Sequence, residues 1–460
     1  MFLKGAYQKM KRFLPGFLLS TCICINATAQ HYSAVENYAL NRPGVVMIKT
    51  VFSANVYVKD MHVANREFNK LLDSIQRVDT SGAAFTSEQK LDIVLREMNN
   101  HPSKFFKPTL DYIKQPEEIT ATGTGFFITG DGYVATNCHL IESNNTFIRR
   151  QFILTAFQQI TDANIQALEN SWAAKFSEQQ RSSLYNTFAS VYSRLFAMEL
   201  FDLKKNVFIV YRSDNNGRND STVRRPATVI VKGSPMPGKD VAILKIEGDT
   251  SLPTLKIDGG ELPKVGEQLL VYGYPGPVTN NDFVSVESAI EPTLTTGIVS
   301  AIKKSVNGWP VIQMDANINH GSSGGPVCNE EGDVVGLTTF GSLENSGALA
   351  AGLNFSIPVS ILNEFIDSAG IQPNISKATK LFSEALGYFG KQYYRKALNS
   401  FEEAKKLNPH YPTIDNYIAD CNKRIEKNED VESRKAKSIL ISIGIFCFLL
   451  IIFISFRKKK

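Results

Sequence analysis

Cysteine is scarce in this 460-residue sequence, six in all, and their placement excludes a disulfide scaffold. Cys22 and Cys24 lie in an apolar N-terminal stretch and Cys447 in an apolar C-terminal one. That leaves Cys138, Cys328 and Cys421, an odd number without metal-ligand spacing. Buried free thiols are the expectation, with a Cys138–Cys328 bond as the alternative. Charge of one sign is just as scarce. The formal net charge of +5 loses four cations with residues 1–29 and four with residues 457–460, leaving −3 for the chain between them. This excludes a basic surface for nucleic acid, and no nucleic-acid reader motif occurs. Low complexity is missing too: 43% hydrophobic and 21% charged residues are the values of a globular chain, long enough here for two or three domains.

The two ends depart from that average. Lys4, Lys9, Lys11 and Arg12 precede an apolar run at 13–25, and Ala27, Thr28 and Ala29 follow it. A basic start, a short apolar run and an A-x-A-like exit read as a signal peptide over 1–29. Residues 438–456 carry no charge and are followed by Arg457, Lys458, Lys459 and Lys460. Nineteen residues at a rise of about 1.5 Å reach about 28 Å, enough for a transmembrane helix. Basic flanks favour the cytoplasm, so 457–460 reads as a cytoplasmic tail and the chain before the helix as extracytoplasmic, on the periplasmic or extracellular side.

Between these ends, short runs rich in β-branched residues and punctuated by Gly, Pro and Asn predict strands from Val45 to Ile357. The pattern is that of an all-β barrel or sandwich. Two stretches break it. Thr86 and Gln89 form a capping box ahead of Leu91, Val94, Leu95 and Met98 on one helical face. Leu184, Phe188, Val191, Leu195 and Met198 make another stripe, and Ile165, Leu168, Trp172 and Phe176 a third. Helical insertions are therefore expected at about 60–115 and 148–203, their stripes serving as packing faces. After Ile361 the strands stop. Ala385, Tyr388, Ala397, Phe401, Ala404 and Pro409 follow the 34-residue spacing of a tetratricopeptide unit over 375–427, although Leu381 and Glu384 depart from it. A generic helical spacer is the other reading.

Hydrolysis by a serine requires a nucleophile, a base, a carboxylate to orient the base, and donors for the oxyanion. Gly-Ser-Ser-Gly-Gly-Pro at 321–326 is a tight loop whose amides can turn toward a developing negative charge, with Ser323 as the nucleophile and the Gly321 and Ser323 amides as donors. His139 ends a predicted strand, where a base is both held and accessible. His320 borders the loop, while His31, His62, His101 and His410 lie outside any motif. Asp240 heads a strand alternating Ala242, Leu244 and Ile246, either as a turn cap or as an orienting carboxylate. The chain order His139, Asp240, Ser323 is that of chymotrypsin-type barrels, and not of subtilisins or α/β-hydrolases.

The segments at 123–128, 132–139, 240–245, 296–300, 315–326 and 355–358 together resemble the HtrA branch of trypsin-like serine proteases. The resemblance implies a chymotrypsin-like double β-barrel within residues 30–370; with the helical insertions, the small all-α segment and the membrane helix read above, the chain is expected to be mainly β. It implies His139 as general base, Asp240 as orienting acid, Ser323 as nucleophile, and 353–355 (Leu353, Asn354, Phe355) as the strand lining the primary specificity pocket. It further implies unfolded or damaged polypeptides as substrates, no metal or cofactor, and a trimer as oligomer. Ser322 and His320 depart from the residues common in the family. No PDZ-like pattern follows the barrels, so residues 375–427 stand as the surface offered to a protein partner. The competing reading is a catalytically silent, chaperone-like scaffold that binds unfolded chains and recruits partners through the helical repeat.

Overall fold

A computed structural model describes residues 32–457, apart from 81, 83–84, 143–145, 195–196, 216–217, 249, 277–284, 286–289 and 344–348. The signal-peptide reading at 1–29 and the tail beyond Arg457 lie outside the described residues. A capped helix α1 (Ala34–Asn41) opens the described chain, followed by two closed six-stranded barrels.

The first barrel runs in the order β1 (Val45–Val63), β2 (Phe106–Phe127), β3 (Tyr133–Thr136), β6 (Ala242–Ile246), β5 (Arg218–Lys232) and β4 (Glu199–Asn215). The second runs β10 (Pro326–Cys328), β11 (Val334–Leu343), β12 (Leu349–Pro358), β9 (Pro310–Met314), β8 (Thr293–Lys304) and β7 (Gln268–Gly273). Each has its own interior. Ile48, Phe127, Val134, Ile209 and Leu244 fill the first, and Leu269, Val271, Ile312, Met314 and Val327 the second. A third apolar layer, with Phe126, Ala135, Ile243, Tyr272, Leu337 and Ile357, joins the two barrels and extends under α7 (Val359–Ser368). This is the trypsin-like β-barrel fold with helical parts.

The helices between β1 and β2 are shorter than their sequence stretch suggests. They occupy α2 (Asn65–Thr80), α3 (Ser87–Asn100) and the single turn α4 (Pro102–Phe105). Residues 106–115, read as part of a helical insertion, belong to β2, which pairs with β1 almost to its end. Likewise α5 (Thr146–Trp172) and α6 (Glu178–Arg194) give way to β4 from Glu199, a strand that periodicity does not announce. β1, β2 and β4 therefore run on past the barrel as a three-stranded sheet. α5 lies on it through Ile148, Phe152 and Ala156 against Phe52 and Val56, and the helices bury a separate core of Met98, Phe105, Ile165, Leu184, Phe188 and Val191. The period-2 signal fails here because one end of these strands is covered by helices, not by barrel.

The C-terminal part consists of α8 (Lys377–Gly390), α9 (Tyr394–Leu407) and α10 (Ile414–Glu426), closed over Phe382, Ala385, Ala397, Phe401 and Tyr411. It is fastened to the first barrel. The Thr254 N–H donates to the Thr379 hydroxyl at 3.0 Å, the Ser376 N–H donates to the Thr254 hydroxyl at 2.9 Å, and the Ser376 and Thr379 hydroxyls bond at 2.9 Å, while the Asn408 amide donates to the Ser251 carbonyl at 3.2 Å. Phe382 sits within 4.7 Å of the Tyr411 ring centroid and 5.4 Å of that of Phe401. Phe382→Ala is expected to cost about 3–5 kcal/mol. Hydrogen exchange should then show lost amide protection across α8–α10 while the barrel strands keep theirs; equal protection in wild type and variant would contradict this packing.

The last helix, α11 (Val431–Arg457), contains the stretch expected to span a membrane at 438–456. Among the described residues no helix is long and apolar enough to cross a membrane, so the fold does not establish that span.

Candidate active site

His139 follows β3 and Asp240 precedes β6, neighbouring strands whose register pairs Thr136 with Ala242. That pairing brings the two side chains together across 101 residues of sequence. Ser323 comes from the other barrel, just ahead of β10. Antiparallel strands thus deliver two of the three residues from one rim, and Thr339 links the third to them, its carbonyl meeting Ser323 and its hydroxyl Asp240.

The His139 Nδ1 lies 2.6 Å from Asp240 Oδ2, and the His139 backbone N–H donates to Asp240 Oδ1 at 2.8 Å. The Asp240 side chain is 1% exposed and that of His139 33%. A third donor, the Thr339 hydroxyl, reaches Asp240 Oδ2 at 3.0 Å. The carboxylate has only acceptors to offer, so the proton between it and the ring belongs on His139 Nδ1, leaving Nε2 free to accept one. Asp240 is therefore no turn cap: its oxygens face the histidine.

The Ser323 hydroxyl donates to the Thr339 carbonyl at 3.1 Å. Thr339 thus touches both Ser323 and Asp240, and sequence reasoning missed it; a threonine inside a β-strand carries no signal of such a role. Thr124 was also missed as a link between the barrels. Its N–H donates to the Ser323 carbonyl at 2.8 Å and its hydroxyl to the Gly321 carbonyl at 2.7 Å.

Within the 321–325 loop the amides divide into two sets. Those of Ser322, Gly324 and Gly325 donate to Asn319, Thr338 and Ser322 carbonyls. Those of Gly321 and Ser323 have no acceptor among the described residues. Gly321 adopts φ +97°, and a Cβ there would sit 2.3 Å from the Tyr274 carbonyl oxygen; no other residue fits that turn without moving the wall behind it. His320 is exposed and enters through its backbone, its carbonyl accepting from the Gly276 N–H at 2.6 Å.

The three residues at 353–355 take different roles. Leu353 is 44% exposed, Asn354 is buried with its amide donating to the Ala316 carbonyl at 2.8 Å, and Phe355 packs against the layer between the barrels. Cys138 and Cys328 are both free and buried, so the bond weighed between them is not formed. Burial, with the Asp240 charge second, pushes the Cys138 thiol up to about 11, and burial pushes that of Cys328 higher still. Among the described residues no group of His, Cys, Asp and Glu could hold a metal ion.

Two closed six-stranded barrels, with His139 and Asp240 on the rim of one and Ser323 on the other, have the arrangement of the trypsin-like fold. The family model "Trypsin-like peptidase domain" matches residues 200–337, a span that includes Asp240 and Ser323 and leaves out His139. The chain is similar to mouse serine protease HTRA4, 30% identical over 182 residues, 38% of this chain and 33% of that protein. It is similar to a probable DegP-like periplasmic serine endoprotease of Pseudomonas fulva, 35% identical over 144 residues, 31% of this chain and 27% of the other. A third relative is the serine endoprotease DegS of Haemophilus influenzae, 33% identical over 132 residues, 28% of this chain and 35% of the other. The chain spans about a third of the length of these relatives. Over the shared span the chain is thus similar to HtrA- and DegP-type serine proteases.

Proposed function

We infer that the chain is a serine endopeptidase, working outside the cytoplasm and anchored to a membrane, in which His139, Asp240 and Ser323 form the catalytic triad. The observation that carries this reading is the paired His139–Asp240 bond beside a loop that keeps two amides without an acceptor. Ser323 Oγ attacks the scissile carbonyl while its proton passes to His139 Nε2. The Gly321 and Ser323 amides receive the oxyanion, and the buried Asp240 carboxylate stabilises the imidazolium. His139 then protonates the departing amine, and a water activated by the same nitrogen releases the acyl group from Ser323. Before the first step the Ser323 hydroxyl must leave the Thr339 carbonyl for His139 Nε2. The strand at 353–355 would line the pocket for the residue preceding the cut, with the exposed Leu353 at its mouth.

Several features support the location. The names of the DegP-like relatives call them periplasmic, and 1–29 has the composition of a signal peptide. In α11, Leu440, Ile441, Ile445, Phe446, Phe448 and Leu449 are each more than half exposed, side chains that a bilayer would cover. The helices α8–α10 would serve as the tetratricopeptide-like surface for a protein partner. Two measurements test the reading. The full chain in detergent should cleave casein, and no cleavage by well-folded protein would sink the endopeptidase assignment. A chain ended at Lys437 should move from the membrane fraction to the soluble one, with kcat on a short peptide within about twofold of the full chain; retention in the membrane would overturn the anchor.

A further inference from the structure

We propose that helix α1 is a positioning element for the 321–325 loop, acting through Asn37 and Tyr38 on the strand that backs it. This rests on the reading of that loop as the oxyanion site.

Asparagines four apart share one helical face, and α1 turns Asn37 and Asn41 inward, where they are 0% and 3% exposed. Burying two amides is costly unless they are bonded, and these are. Asn37 Oδ1 accepts from the Tyr272 hydroxyl at 2.9 Å and from Asn41 Nδ2 at 2.9 Å. Asn37 Nδ2 donates to the Asn329 and Glu330 carbonyls at 3.2 and 3.3 Å, and Asn41 Nδ2 to that of Gly332 at 2.9 Å. One turn of α1 thereby grips the turn between β10 and β11 and the hydroxyl of a fully buried tyrosine.

Tyr38 completes the grip. Its ring stacks on Tyr272 at 6.2 Å and 5°. Its single hydroxyl proton is shared between the Pro292 carbonyl at 2.8 Å and Glu291 Oε1 at 3.1 Å, and Glu291 is also paired with Arg42 and Arg212. Gly273 pairs with Thr293 in the β7–β8 register. α1 therefore holds the last residues of β7 through Tyr272 and the first of β8 through Glu291 and Pro292.

The end of β7 is the wall on which the loop lies. A Cβ on Gly325 would sit 2.1 Å from the Tyr272 carbonyl oxygen, and one on Gly273 would sit 3.0 Å from Ser322 Cα. The Tyr274 N–H donates to the Thr124 hydroxyl at 3.0 Å, and that hydroxyl donates to the Gly321 carbonyl. A shift of Tyr272 therefore moves the contacts that set the Gly321 and Ser323 amides. Neither Asn37 nor Tyr38 belongs to the triad, so any effect they have on turnover passes through this wall.

The test uses the full chain in detergent and compares wild type with Asn37→Ala, Tyr38→Phe and Val35→Ser, the last changing a side chain 79% exposed. On a fluorogenic peptide, Asn37→Ala should lower kcat about tenfold or more with KM within about twofold, because displaced oxyanion donors cost rate and leave ground-state binding intact. Tyr38→Phe keeps the ring and the fold and removes only the hydroxyl; it should lower kcat about threefold. Val35→Ser should match wild type. Hydrogen exchange of the peptide covering 320–326 should quicken in Asn37→Ala at a temperature where the rest of the barrel keeps its protection. Wild-type kcat and exchange in folded Asn37→Ala and Tyr38→Phe would overturn the proposal while leaving Ser323 as nucleophile. An inactive wild type would sink the oxyanion reading itself, and the exchange data would still decide whether α1 holds the loop.

Discussion

Replacing Ser323 by alanine is expected to lower kcat/KM on a peptide substrate by about 10⁴–10⁶-fold and to leave the melting temperature close to that of wild type. The size of the loss follows from chemistry. Without the hydroxyl there is no acyl-enzyme, and the paired His139 and Asp240 have only water to activate. What remains is the stabilisation given by the Gly321 and Ser323 amides, which the substitution leaves in place because they belong to the backbone. Folding is spared because Ser323 is half-buried and its hydroxyl makes a single bond among the described residues, to the Thr339 carbonyl at 3.1 Å. Peptidase activity within tenfold of wild type would mean that another residue attacks the carbonyl.

Asp240→Asn should be nearly as damaging, about 10⁴-fold in kcat, with KM little changed. Asp240 accepts from three donors: the His139 backbone N–H on Oδ1, and His139 Nδ1 with the Thr339 hydroxyl on Oδ2. An asparagine keeps the first bond by placing its oxygen at Oδ1, which puts its amide donors where Oδ2 was. His139 Nδ1 then faces a donor and must accept, so the ring proton moves to Nε2 and the base is lost. Thr339 meets the same donor and can turn its hydroxyl away. The variant should therefore fold and bind substrate while turning over slowly. Steady-state kinetics with a thermal melt checks this; a fall in kcat matched by a collapse of the melting temperature would assign Asp240 to folding.

How much of this could be read from the sequence depended on how local the cause was. The 321–326 turn, the strand end ahead of His139 and the strand start after Asp240 are local features, written in glycines and apolar alternation. The barrels follow from many short β-branched runs. What was missed is set at a distance. The strand at Glu199–Asn215 and the extension of Phe106–Phe127 are pinned by pairing with Val45–Val63 and by cover from α5, and neither alternates cleanly. Thr339 acquires its contacts only when β11 folds back past Ser323 beside the other barrel. Asn37 and Asn41 look like surface residues of a short polar helix until the β10–β11 turn and Tyr272 close over them. Burial created by chain segments some 290 positions away leaves no trace in the local pattern.

The helical part behind the barrels illustrates the same limit. Small residues at Ala385, Ala397 and Ala404 announce closely packed helices, and they are indeed fully buried. Nothing in their spacing announces that Ser376 and Thr379 would lock α8 to the loop at Thr254.

The most direct test of the central claim is the site of covalent capture by a fluorophosphonate, read by tandem mass spectrometry on the full chain. The account predicts a single adduct, on Ser323, formed by wild type and absent from Ser323→Ala and strongly slowed in Asp240→Asn. An adduct on any other serine, or labelling that persists in Ser323→Ala, would contradict it.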